Sequence, residues 1–240
     1  EPPHYPYQGP NDKPVRSEGQ ARGNRETKQT QEDIQRAYKE MVEEMDKGVG
    51  EIVATLTQHN LDRNTLVMFS SDNGGTRHGD NGPLRGQKGQ VWEGGHRVPF
   101  VAWWPGRIEA GSESSDLAIS LDVMPTVLAA AGTAAPEDRP LDGTSLLPVL
   151  LNGESLKPRK LFWAHSQARA MRDGVWKLVD ERPGSKPASL YNLQDDLGEQ
   201  QDLAERHPER VQVMLAALDA WQRDVTTDAT PQPENPPIEK

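Results

Sequence analysis

One stretch, residues 65–99, narrows the folds open to this chain more than any other: TLVMFSSDNGGTRHGDNGPLRGQKGQVWEGGHRVP. It starts with an apolar run, Leu66-Val67-Met68-Phe69. The run is short, rich in β-formers and closed by a turn signal, so it predicts a buried central strand. Ser70-Ser71-Asp72-Asn73-Gly74-Gly75 follows at the strand's carboxyl end, the edge where ligands bind in open α/β sheets. Asp72 and Asn73 are hard oxygen donors, the glycines let backbone approach a ligand, and cations follow at Arg85, Lys88 and Arg97. Such a set suits a metal and an oxyanion together.

Each piece on its own has a plainer reading. Asp-Asn-Gly-Gly is first a turn, and a lysine between glycines is first a solvated loop residue. The order gives them weight: strand, acid–amide pair, Gly-rich loop, lysine, then Glu93-Gly94-Gly95-His96-Arg97-Val98-Pro99 and a second apolar strand over residues 98–103.

Composition removes several classes. The net charge of −10 provides no basic excess to displace phosphate counterions, which argues against nucleic acid as a partner. No run of about 18 apolar residues occurs, so no membrane span is expected. There are no cysteines, hence no disulfide or thiolate chemistry. The 240 residues suffice for one large or two small domains.

The string SSDNGG followed by RGQKGQVWEGGHRVPFVAWWPG resembles the carboxy-terminal part of the type I sulfatase family, in the alkaline phosphatase superfamily. PHYPYQGP near the start is similar to the branch holding arylsulfatase A and N-acetylgalactosamine-6-sulfatase. The resemblance runs over nearly the whole chain. It implies a partial alkaline-phosphatase-like α/β sandwich over residues 1–152. A small α+β subdomain of antiparallel sheet and helix would follow over 153–225, and a mobile tail over 226–240.

The same resemblance implies site roles. Asp72 and Asn73 match the family's Ca²⁺ ligands. Lys88 and His4 match the catalytic pair that contacts the sulfate ester and its leaving oxygen. His78 and Asp80 could line the substrate pocket, a solvated loop reading equally well, and Arg85, in the loop of Lys88, is a further substrate-binding candidate without an assigned family counterpart. Glu93 and Arg97 are expected to hold the loop rather than do chemistry. The family's nucleophile is a formylglycine made from Cys or Ser in a C/S-x-P/A-x-R motif. Ser166-Gln167-Ala168-Arg169-Ala170 and Ser185-Lys186-Pro187-Ala188-Ser189 both lack the arginine. The formylglycine and the paired aspartates that complete the metal site are therefore expected upstream, and the chain alone is expected to be inactive. Family members are periplasmic, secreted or lysosome-like, and no signal peptide is visible.

Sulfate ester hydrolysis of sulfated sugars or aryl sulfates is thus the leading expectation. The missing amino-terminal half of the domain, or self-association through exposed strand edges, would supply the partner surface. Two rivals stand beside it. One is a truncated or degenerate non-catalytic homologue serving as a binding module. The other is a phosphodiesterase or phosphonate hydrolase of the same superfamily, which would need a two-metal site of several Asp and His residues.

The remaining elements follow from periodicity. Residues 30–60 predict a long helix capped by Thr30, with Glu32 and Asp33 in its first turn. Ile34, Tyr38, Met41, Val42, Met45, Val49, Ile52, Val53 and Leu56 would form a core-facing stripe. Helices are also expected over about 120–131, over 142–150 and over 208–223. Short strands are expected over 161–164, 168–172, 175–179 and 189–191, with Asp173-Gly174 as a hairpin signal. Trp163, Trp176 and Tyr191 alternate with polar residues, as in a sheet with one covered face.

Overall fold

The computed structural model describes residue 10, residues 30–138 and residues 140–227. His4 and residues 228–240 lie outside the described residues. The chain forms two compact units. The first contains the described residues up to Gly82 together with Arg97–Leu156. The second contains Pro83–His96 and the described residues from Lys157 onward. Residues 83–96, expected in the first unit, therefore fold with the second. The reason is a set of buried contacts to the second unit's sheet, given below.

In the first unit, helix α1 spans Gln31–Gln58. Its start is fixed by a reciprocal capping box. Thr30 Oγ1 accepts from the Asp33 amide at 3.1 Å, and Asp33 Oδ2 accepts from the Thr30 amide at 3.2 Å, which satisfies amides that a helix start leaves orphaned. The first turns are the best covered: Ile34 and Ala37 are buried, with Tyr38 and Met41 against them, while Val49, Val53 and Leu56 are half-buried. Val42, Met45 and Ile52, expected in the core, are exposed, Ile52 to 58%. The apolar stripe is real, but beyond the first turns it stays half-buried or exposed.

Strand β1 (Val67–Ser70) pairs antiparallel with β2 (Phe100–Trp103), Val67 opposite Trp103 and Ser70 opposite Phe100. The expected buried central strand is thus half of a two-stranded ribbon, half-buried at Val67–Phe69 and exposed at Ser70. The apolar run alone does not separate these outcomes, because it reports preference for a pleated surface and not the number of partners.

Helices α3 (Val123–Ala130) and α4 (Leu147–Asn152) are shorter than expected and are tied together by polar groups. Asp122, fully buried, accepts from the Ile119 amide through Oδ2 and from the Thr144 amide through Oδ1, both at 2.8 Å. Thr126 Oγ1 donates to the Asp122 carbonyl at 2.6 Å and accepts from the Leu146 amide at 2.8 Å. Asp122 is therefore a cross-link between segments as well as a local cap.

The second unit is a meander of β3 (Lys160–His165), β4 (Ala168–Asp173), β5 (Trp176–Asp180) and β6 (Ser189–Asn192), antiparallel in the order β3-β4-β5-β6. Asp173 pairs with Trp176 at the Asp-Gly hairpin. One face carries Met171, Leu178 and Leu190 against Met214 and Leu218 of α5 (Pro208–Thr227). The other face carries Ala170, Val179 and Tyr191 against Val91 and Trp92. Both faces are covered, not one, because the loop of residues 83–96 lies on the side opposite the helix. Thr226 and Thr227, assigned to the tail by sequence, close α5. Among the described residues no helix is long and apolar enough to cross a membrane.

Replacing Asp122 with alanine would strip the partner from two amides and leave them without a carboxylate. The expected loss is about 2 kcal/mol, read as a lowered denaturant midpoint, with Asp122→Asn losing less. An unchanged midpoint for Asp122→Ala would remove this cross-link from the account.

Candidate functional site

The site residues expected from sequence divide between the two units. Asp72, Asn73 and His78 belong to the first, Lys88 and Arg85 to the second.

After β1 the chain turns sharply. Ser71 Oγ donates to the Asn73 carbonyl at 2.8 Å, and Asn73 Nδ2 donates to Asp72 Oδ2 at 2.6 Å. Asp72 is exposed and Asn73 half-buried. The carboxylate and amide thus sit side by side with their oxygens near solvent. They fit Ca²⁺ in donor type, since it takes carboxylate and amide oxygens. They do not fit in number, because the ion takes about 6–8 oxygens. Among the described residues no three His, Cys, Asp or Glu side chains gather at one point. His78, half-buried, accepts from Arg77 Nε at 2.9 Å through Nε2. Asp80 Oδ1 accepts from the Gly82 amide at 2.8 Å, as a turn residue does.

In the second unit, Lys88 stands at the corner of a tight turn. The Gln90 amide donates to the Gln87 carbonyl at 3.0 Å, and Gly89 has φ +84°. That is the position where a type II turn requires positive φ, which glycine adopts without a steric penalty. Lys88 is exposed. The turn sits inside a larger ring closed by the Gly94 amide, which donates to the Arg85 carbonyl at 2.7 Å. A Cβ at Gly95 would lie 2.0 Å from the Gln90 carbonyl oxygen, so a side chain there would force the ring open.

Arg85, a substrate-binding candidate from the sequence, is engaged within its own unit. Its guanidinium lies 3.6 Å from the Trp92 ring centre and donates to the Glu199 carbonyl at 2.7 Å and to the Tyr191 hydroxyl at 3.4 Å. These contacts give it a packing role. His165, exposed at the end of β3, has Nε2 3.6 Å from where a Gly89 Cβ would sit. Arg169 is turned toward α5, with Asp180 at 2.9 Å and Asp219 at 2.7 Å.

Sequence reasoning missed the most heavily charged part of this unit. The short helix α2 (Glu93–His96) buries Glu93, which is 1% exposed. Lys177 of β5, fully buried, donates to Glu93 Oε1 at 2.8 Å and lies 3.4 Å from Glu199 Oε1. Arg172 Nη1 of β4 lies 3.3 Å from Glu93 Oε2. Glu199, also fully buried, accepts the Glu93 amide through Oε2 at 2.8 Å. His96 stacks on Trp163 with ring centres 4.1 Å apart, and its Nε2 is 2.9 Å from Lys177 Nζ.

Burial would raise the Glu93 carboxyl, but the charge and hydrogen bond of Lys177, with His96 and Arg172, bring it below the ordinary value. Burial raises the Glu199 carboxyl despite Lys177 and the Glu93 amide. His96 is held down at about 3, first by burial and then by the Lys177 charge, against Glu93. The same Nε2 lies 3.2 Å from the Val91 carbonyl; a neutral ring can accept from the Lys177 ammonium there, whereas a protonated ring would place two cations in contact.

The signs set a pH window. The unfolded chain protonates His96 near its ordinary 6.5, while the folded chain does so only near 3. The stability held by the neutral ring is complete above 6.5 and is lost as pH falls toward 3. Glu93 acts in the same sense below its ordinary value, and Glu199 in the opposite sense above it. From pH 6.5 to 5 the His96 share is roughly 2 kcal/mol. His96→Gln, which can still accept from Lys177, should flatten the stability profile over that interval. Parallel profiles for the two proteins would contradict the assignment.

Against known proteins, the family model "Sulfatase" matches residues 2–133, and the model "N-sulphoglucosamine sulphohydrolase, C-terminal" matches residues 87–218. The chain is 34% identical to steryl-sulfatase of Mus musculus over 82% of its own length and 38% of that protein's. It is 42% identical to N-acetylgalactosamine-6-sulfatase of Canis lupus familiaris over 52% of its own length and 25% of that protein's. The chain therefore spans well under half of either relative. Among solved structures it is similar to Ps i-CgsB in complex with k-i-k-neocarrahexaose, with a TM-score of 0.73 and 32% identity, covering 79% of this chain and 43% of that one. PsFucS1 sulfatase from Pseudoalteromonas sp. shares the fold at a TM-score of 0.67 and 23% identity, over 83% of this chain and 44% of that one. A strand, an acid–amide turn and a lysine ring in this order, matched by a family model over more than half of the chain, mean that the chain belongs to the sulfatase family.

Proposed function

We propose that this chain supplies the sulfate-binding lysine and part of the metal site of a sulfuric ester hydrolase. The observation that carries the reading is the lysine ring: Lys88 at the exposed corner of a turn closed by Gln87–Gln90 and by Gly94–Arg85 hydrogen bonds. The turn fixes the backbone from which the Lys88 side chain projects, and an ammonium there can stabilise negative charge on a transferring group and on its leaving oxygen. His4 would assist at the leaving oxygen, as a histidine can by donating a proton near neutral pH.

Asp72 and Asn73 would contribute two of the oxygens that hold Ca²⁺. When bound, the ion would supply positive charge beside the sulfate oxygens. The nucleophile of this reading is a formylglycine from a C/S-x-P/A-x-R motif, which this sequence does not contain. The chain alone is accordingly proposed to be inactive and to bind Ca²⁺ weakly. A sulfated carbohydrate is the proposed substrate class. Support comes from the similarity to N-acetylgalactosamine-6-sulfatase and to a structure in complex with k-i-k-neocarrahexaose. A secretory or lysosome-like location fits that substrate class.

In a preparation carrying the complete sulfatase domain, Lys88→Ala should lower kcat/KM for an aryl sulfate by roughly 10²–10³. Near-normal turnover would sink the lysine assignment. Chelation should abolish activity and Ca²⁺ should restore it, whereas restoration by zinc or manganese alone would favour the phosphodiesterase reading. Calorimetry on the 240-residue chain should show no tight, stoichiometric Ca²⁺ binding.

A further inference from the structure

We propose that the buried Glu93–Lys177–Glu199 cluster is the positioning device for Lys88, fixing the lysine ring on the second unit's sheet. The inference rests on the reading of Lys88 as a sulfate-binding residue. It adds residues that act through Lys88 without touching substrate.

The ring is tied to the sheet by few directional contacts. Gly94 and Gly95 have no side chains and Val91 supplies apolar area without direction; Arg85 bonds to the Glu199 carbonyl and the Tyr191 hydroxyl near one end of the ring, and Trp92 bonds to the Glu181 carboxylate. Hydrophobic contact is non-directional, so it cannot by itself fix how the ring is rotated on the sheet. Glu93 can, because it is gripped at three atoms. Oε1 takes Lys177 at 2.8 Å, Oε2 faces Arg172 at 3.3 Å, and the backbone amide donates to Glu199 at 2.8 Å. Three separate attachments determine a rigid group's place and orientation.

The constraint reaches Lys88 over a short path. Gly94, next to Glu93, closes the ring onto Arg85, and Gly95 leaves no room between its Cα and the Gln90 carbonyl. The turn bearing Lys88 lies between those two fixed points. A buried ion pair is weak evidence for stability, since desolvation offsets most of the attraction. Two buried carboxylates around one buried lysine are thus better explained by a need for definite geometry. The same low dielectric makes removal of one member costly.

The test is a double-mutant cycle in a preparation carrying the complete domain, joined to proteolysis of the 240-residue chain. Lys177→Met should lower kcat/KM for an aryl sulfate by roughly 100-fold, the order expected when a catalytic group is misplaced by about 1 Å. Because both changes would act through one ammonium, Lys88→Ala should cost at least about tenfold less in the Lys177→Met background than in wild type. In the 240-residue chain, trypsin should cut after Lys88 about tenfold faster in Lys177→Met, with cleavage after Lys47 unchanged. Arg172→Met, which removes one of the three attachments of Glu93, serves as the second variant should Lys177→Met not fold, with faster cleavage after Lys88 again expected. Independent, additive effects on turnover, or unchanged cleavage after Lys88 in a folded variant, would overturn the proposal. If Lys88→Ala in the wild-type background leaves turnover intact, the sulfate-binding reading fails, while the proteolysis still decides whether the cluster fixes the ring.

Discussion

The contact on which the second unit depends is the one between the Lys177 ammonium and the Glu93 carboxylate. Both groups are out of reach of water, and they are 2.8 Å apart. Leaving either alone in that interior would cost about 3–5 kcal/mol. The pair therefore commits β5 and α2 to each other. Once committed, Arg172, His96 and Glu199 are drawn in, each satisfying a valence that the first two leave open. His96 stays neutral because its ring is buried and because Lys177, which faces it, already carries the positive charge.

This explains why the unit has two packed faces with different characters. The α5 face is held by area: Met171, Leu178 and Leu190 against Met214 and Leu218. Such a face tolerates substitution that conserves volume. The opposite face is held by direction, with a charged cluster beside the apolar patch of Val91, Trp92 and Tyr191. A loop rich in glycine has little apolar area to offer. Directional polar contacts are the means left for fixing it to a sheet.

Much of this was legible from the residues. The four strands of the meander, the Asp-Gly hairpin and the covering helix follow from period-two and helical patterns, which are local. Thr30 was visible as the cap of α1, and the reciprocal bond from Asp33 came only with the structure. Glu93 was expected to hold its loop, and the structure bonds it to Lys177, Arg172 and Glu199. Lys177 was not legible. A lysine between Trp176 and Leu178 reads as a solvent-facing strand residue, and the partner that buries it lies 84 residues earlier. The Arg85 contacts were hidden for the same reason. The stripe on α1 was legible as a stripe, but its burial depends on mass that periodicity does not report, and Ile52 stands exposed. The apolar run at β1 showed a strand without showing how many neighbours it would have.

The most direct measurement is native-state hydrogen exchange at the Glu93 amide, the donor to buried Glu199. If the ring is locked to the sheet through this residue, that amide should exchange only when the second unit unfolds. Its opening free energy should then equal that of Leu178 and Val179 in β5. Exchange orders of magnitude faster than those strand amides, in step with the exposed turn at Gln87–Gln90, would mean that the ring opens independently and that the buried pair does not hold it.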